Sequence, residues 1–192
     1  MTRAGTSSTP RGFAAALQGA ADTVSLAGAW AAGACIAALT LLVLLDTILA
    51  FVSRYVPAIP SGTGVGWEYS AYLMGSAFVL GAGLTLRAGL QLRVEILIQA
   101  GRGRIARALE LFASALGTIV TVSLAIWMAG FTLRTYGFGE VSQDSFTPLW
   151  IPRLVLTTGI AILAFQMTAR LVTCLAGNPV DRPQLGAASA IE

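Results

Sequence analysis

The 192-residue chain contains no histidine and no lysine, and only two cysteines. The missing histidine excludes a bis-His haem, a His-ligated metal and a His-based catalytic triad. The cysteines, Cys35 and Cys174, lie in opposite terminal hydrophobic segments with no Cys-x-x-Cys between them. They read as two small apolar thiols and not as a redox or zinc motif. Charge is scarce as well. Only 11% of residues are charged and 56% are hydrophobic, against roughly a quarter charged in a soluble domain. No Walker motif, nucleophile elbow or usable dinucleotide turn is present, since Gly81-Ala82-Gly83 falls within an apolar run. The sequence therefore predicts no enzyme and no cofactor, catalytic residue or metal site.

What the chain does have is apolar runs too long for a globular core. They predict an all-α integral membrane fold with four transmembrane helices over residues 24–52, 67–87, 105–133 and 150–175. Residues 1–23 read as a flexible or interfacial cytoplasmic tail, residues 24–175 as the four-helix membrane domain, and residues 176–192 as a cytoplasmic C-terminal tail. Residues 89–100 are apolar but too short to cross and carry Arg93 and Glu95. They read as a short amphipathic helix lying in the membrane interface.

All twelve basic residues are Arg, and they flank the apolar runs. Arg3, Arg11, Arg87, Arg93, Arg102, Arg104, Arg107, Arg170 and Arg182 fall on one side, and Arg54, Arg134 and Arg153 on the other. The positive-inside rule then places both termini in the cytoplasm. The same distribution argues against a nucleic-acid partner, because no basic soluble face exists. Membrane lipids are the partners that composition alone implies.

Small residues mark candidate packing faces: Gly28 and Gly33 in the first span, and Ala71, Gly75 and Gly81 in the second. Asp46 is the most deeply embedded acid, and an acid within a span costs roughly 2.5–3.5 kcal/mol on insertion scales. Two readings stay open. Either Asp46 couples an ion or pairs with a partner subunit, or it is an interfacial acid that pairs with Arg54 or reaches water. Glu68, beside Trp67 at the outer start of the second span, suits the positive end of a helix. Glu110 is three residues from Arg107, the spacing of a helical ion pair. Residues 136–147, with Glu140 and Asp144, form a polar outer loop suited to docking a soluble partner or simply to solvation. Trp150 and Arg153 follow at the entry to the fourth span.

An ordered set of short motifs runs through the chain: Arg54-Tyr55, Trp67-Glu68-Tyr69-Ser70-Ala71-Tyr72, Gly81-Ala82-Gly83-Leu84-Thr85-Leu86-Arg87 and Leu92-Arg93-Val94-Glu95, then Ser142, Ser145, Pro148, Trp150 and Ile151-Pro152. In order and spacing this set resembles the small permease subunit, DctQ, of tripartite ATP-independent periplasmic (TRAP) transporters. The chain departs from that family's common residues at Ala71, Gln91 and Glu95, where an Arg, a His and an Asp are frequent. The resemblance implies a non-catalytic scaffold in the bacterial inner membrane. Its partners would be a large elevator-type permease (the M subunit) and a periplasmic substrate-binding protein (the P subunit). Together they would take up small organic acids with sodium. Asp46, Arg54, Trp67, Glu68, Glu140, Asp144, Trp150 and Arg153 are then the candidate partner contacts. Two other readings are a free-standing small dimeric exporter, which needs Asp46, and the membrane anchor of a redox complex, which the missing histidine opposes.

Overall fold

The computed structural model describes residues 9–88 and 103–176. Among these are four helices: α1 (Thr9–Val52), α2 (Gly66–Arg87), α3 (Gly103–Phe138) and α4 (Trp150–Leu175). Each is long and apolar enough to cross a membrane, and α1 contains the most apolar stretch, with a mean hydropathy of 2.6. The fold is thus an all-α, multi-span membrane fold. The interfacial helix expected over residues 89–100 lies outside the described residues, as do residues 1–8 and 177–192 of the two tails.

The first helix differs from expectation. It starts at Thr9 and runs 44 residues without interruption, about 66 Å at 1.5 Å per residue. Residues 9–23, read from sequence as a flexible or interfacial tail, are part of it. Pro10 sits in the first turn, where its missing N–H costs nothing. Ala14, Ala15, Ala16, Ala20 and Ala21 then supply strong helix propensity. One face of this extension is buried: Ala14, Gln18, Ala21, Ser25, Gly28 and Ala32. Those positions alternate steps of four and three, the spacing of a seam between helices. The third helix also runs past its expected end, through Arg134 and Thr135 to Phe138.

α4 is the hub. It packs against α1, α2 and α3, and α1 also packs on α2, whereas α3 packs among the described helices on α4 only. At the centre the helices approach to backbone contact. A Cβ on Gly28 would lie 2.8 Å from the Leu80 carbonyl oxygen, and one on Gly159 would lie 3.0 Å from the Leu80 nitrogen. α2 is therefore clamped at Val79 and Leu80 between a glycine of α1 and a glycine of α4. Close approach of this kind replaces the hydrophobic driving force that lipid cannot provide. Gly81 lies against Ala32, and Gly75 against Leu156. Gly33 and Ala71 do not share this role: both are exposed, and nothing lies within 4 Å of a Cβ built on Gly33. Among the described residues they point away from the other helices.

Candidate functional site

Polar side chains gather at the two ends of the bundle and leave an apolar girdle between. At the end holding the start of α1 and the finish of α4, Asp22 is the focus. Its Oδ1 accepts hydrogen bonds from Gln18 Nε2 (2.9 Å) and Gln166 Nε2 (3.2 Å) and pairs with Arg87 Nε (3.1 Å). Ser25 donates to Gln166 Oε1, and Thr173 donates to Gln18 Oε1. The Arg87 side chain is only 4% exposed. Burial of a charge on this scale requires such partners. Beside it, Arg170 donates from Nε and Nη2 to Glu110 Oε1 (3.1 and 2.6 Å) and from Nη1 to the Leu86 carbonyl. Asp22 thus joins α1, α2 and α4, and Arg170 joins α2, α3 and α4.

These residues were not legible as a site. Arg87 and Arg170 look like surface charges that set topology, and Gln18, Asp22 and Gln166 belong to no motif. The one available signal is the seam spacing of Gln18 and Ser25 with Gly28 on α1. Glu110, expected to pair with Arg107, receives Arg170 from α4, and the Arg107 side chain lies outside the described residues.

At the other end, Asp46 turns back from α1 and accepts a hydrogen bond from the Thr63 N–H (2.8 Å) in the loop before α2. Its carboxylate fills the space that a Cβ on Gly66 would need. A side chain at position 66 would therefore have to displace the Asp46 carboxylate, whose negative charge sits at the positive start of α2. Asp46 ties a loop to a helix. It does not pair with Arg54, which is exposed and forms no ion pair among the described residues.

Glu68 plays the matching part for the loop between α3 and α4. It accepts a hydrogen bond from the Tyr72 hydroxyl, and its Oε2 accepts from the Ser145 N–H (3.2 Å). Tyr69 and Thr147 share a hydroxyl–hydroxyl bond of 2.7 Å. Arg153 pairs with Glu140 (2.7 Å), donates to the Thr135 hydroxyl and lies 4.1 Å above the Phe131 ring. Trp150 meets Tyr136 edge-on. Of the expected partner contacts, then, Asp46, Glu68, Glu140, Trp150 and Arg153 are engaged inside the chain. Arg54, Trp67 and Asp144 are exposed, Trp67 at 87%.

Between the ends, large apolar side chains face outward along α1 (Leu41, Ile48, Phe51) and α3 (Phe112, Ile119, Trp127). An open groove of about 570 Å³ on α3 is lined by Trp127, Gly130, Phe131 and Arg134 among others. It contains no pair of groups suited to acid–base or nucleophilic work. Among the described residues no cluster of His, Cys, Asp and Glu could hold a metal ion.

Residues 43–177 match the family model described as Tripartite ATP-independent periplasmic transporters, DctQ component. The chain belongs to the DctQ family. DctQ components are non-catalytic small permease subunits, so the chain is a membrane-embedded transport protein and not an enzyme. The DctQ match takes in the end of α1 and all of α2, α3 and α4, with Asp46, Glu68, Arg87, Glu110 and Arg170. It does not reach Gln18, Asp22, Ser25 or Gly28 on the first half of α1. No curated protein and no solved structure matches the chain significantly.

Proposed function

We propose that this DctQ chain is the static scaffold of its transporter. It holds the large, elevator-type permease in the inner membrane and helps dock the periplasmic substrate-binding protein during sodium-coupled uptake of small organic acids. The observation that carries the reading is the contrast between ends and girdle. Buried ion pairs and hydrogen bonds lock the helices to one another at both ends, while broad apolar faces of α1 and α3 have no partner helix in the described chain. A membrane protein that must stay still beside a moving partner needs fixed internal geometry and free lipid-depth surface.

Both termini are cytoplasmic in this reading, with the Asp22 and Arg170 networks on the inner side and the Asp46 and Glu68 loops in the periplasm. The Arg excess behind that orientation persists without the buried Arg87 and Arg170. A free-standing exporter is the weaker reading, because Asp46 is occupied in fixing the loop before α2. The test is co-expression with and without the large permease in nanodiscs. We expect a complex that survives purification, and Asp46→Asn to lower its yield without altering the transported substrate. Failure of the two chains to co-purify would sink the scaffold reading.

A further inference from the structure

The segment between α3 and α4 is a short, pinned hairpin. Val141 and Pro148 form an isolated antiparallel bridge, Ser142 N–H donates to the Thr147 carbonyl (2.9 Å), and Leu149 N–H donates to that of Glu140 (3.0 Å). Ser145 is fixed through its N–H to Glu68 and through its hydroxyl to Thr147, and Thr147 is fixed to Tyr69. Between these two anchored residues stands Phe146. Its φ is +53°, and among the described residues it is the only non-glycine with a positive φ. The residue is 75% exposed.

An exposed apolar side chain alone needs no explanation. A bulky residue in the left-handed region does, because Asn or Gly would occupy the position without strain. The ring gains no burial in return. Strain held in place by surrounding hydrogen bonds, with the strained group presented outward, is a feature of ligand clamps and contact sites. We infer that Phe146 is the rigid aromatic anchor by which this subunit engages an apolar pocket on the soluble substrate-binding protein. This inference rests on the docking role proposed above.

The choice of a soluble protein over the lipid surface follows from the surroundings. Apart from the bridging pair Val141 and Pro148 at its base, the hairpin that carries Phe146 is polar (Glu140, Ser142, Gln143, Asp144, Ser145 and Thr147). Membrane-interface anchors are Trp and Tyr, whose polar edge meets the headgroups. Here Trp67, Tyr136 and Trp150, at the helix ends, have that character. A phenyl ring without a polar edge, carried on backbone that is fixed before the partner arrives, spends entropy only on its own side-chain rotamer and suits a desolvated protein pocket.

The test uses the assembled transporter in proteoliposomes, with uptake titrated against the binding protein. Phe146→Ser and Phe146→Gly should each raise the half-saturating concentration of binding protein about tenfold or more. Recovery of the large permease should be unchanged. Glycine is at ease at a positive φ, so Phe146→Gly should also hold or raise the thermal midpoint, which separates docking from folding. Unchanged half-saturation in both variants, with the wild type still saturable, would overturn the anchor and leave the docking role intact. Loss of any dependence on this subunit's periplasmic face would instead bring down that role. In Phe146→Trp, emission that responds to added binding protein supports the inference. Quenching by brominated lipid that the binding protein does not relieve makes the residue a membrane anchor and overturns it.

Discussion

Helices α1, α2 and α4 meet backbone to backbone through Gly28 and Gly159, whereas α3 packs among the described helices on α4 only, through side chains such as Met167 against Gly117 and a set of side-chain hydrogen bonds. The ties are Thr118 to the Met167 carbonyl (3.2 Å), Thr132 to Thr157 (2.8 Å), Arg153 to Thr135, and Glu110 to Arg170. The two modes respond differently to change. A glycine contact is lost as soon as volume is added, because helix backbones have nowhere to go. A ladder of side-chain bonds loses one rung at a time. The trio is therefore joined through glycine contacts at its centre, whereas α3 packs along α4 and is held there by side-chain contacts at several separate points.

That contrast can be broken most severely at Gly159. A Cβ there would lie 2.9 Å from Val79 Cγ1 and 3.0 Å from α2 backbone atoms. Gly159→Leu should force α2 outward and lower stability by about 3 kcal/mol or more, read as lost folded yield and a lower thermal midpoint in detergent. Arg170→Met should come next. It removes the charged hydrogen bonds to Glu110, each class worth about 1.5–3 kcal/mol. Equilibrium unfolding should show the loss, and α3 should become more accessible to proteolysis while α1, which Arg170 does not bond, keeps its protection. The smallest effect belongs to Thr132→Val, which deletes one interhelical hydrogen bond worth about 0.6 kcal/mol within a membrane. A larger loss for Thr132→Val than for Gly159→Leu in the same unfolding assay would reverse the comparison.

The division also explains what could be read from sequence. Four apolar helices were legible because lipid demands long runs, and α2 and α4 are little longer than a bilayer crossing. The first 15 residues of α1 were not legible. Their buried seam consists of Ala14, Gln18 and Ala21, small or polar residues that carry no hydropathy signal. The Asp22–Arg87 and Arg170–Glu110 pairs were hidden for a related reason. A charge near a helix end looks the same in sequence whether it meets water or a partner on another helix 60 or more positions away. Glycine spacing pointed to Gly28, Gly75 and Gly81, which lie against a neighbouring helix, and equally to Gly33 and Ala71, which are exposed, because spacing alone does not say which face meets a neighbour. Asp46 stood out by depth, yet its partner, the Thr63 N–H, is a backbone group that no residue type announces.

The central claim is that this DctQ chain scaffolds transport and performs none of it. Uptake into proteoliposomes tests this most directly, with three preparations compared under a sodium gradient: the chain alone, the large permease alone, and the two co-purified with the binding protein present. The account predicts uptake by the complex only. Sodium-driven uptake by the purified chain alone, abolished by Asp46→Asn, would contradict it.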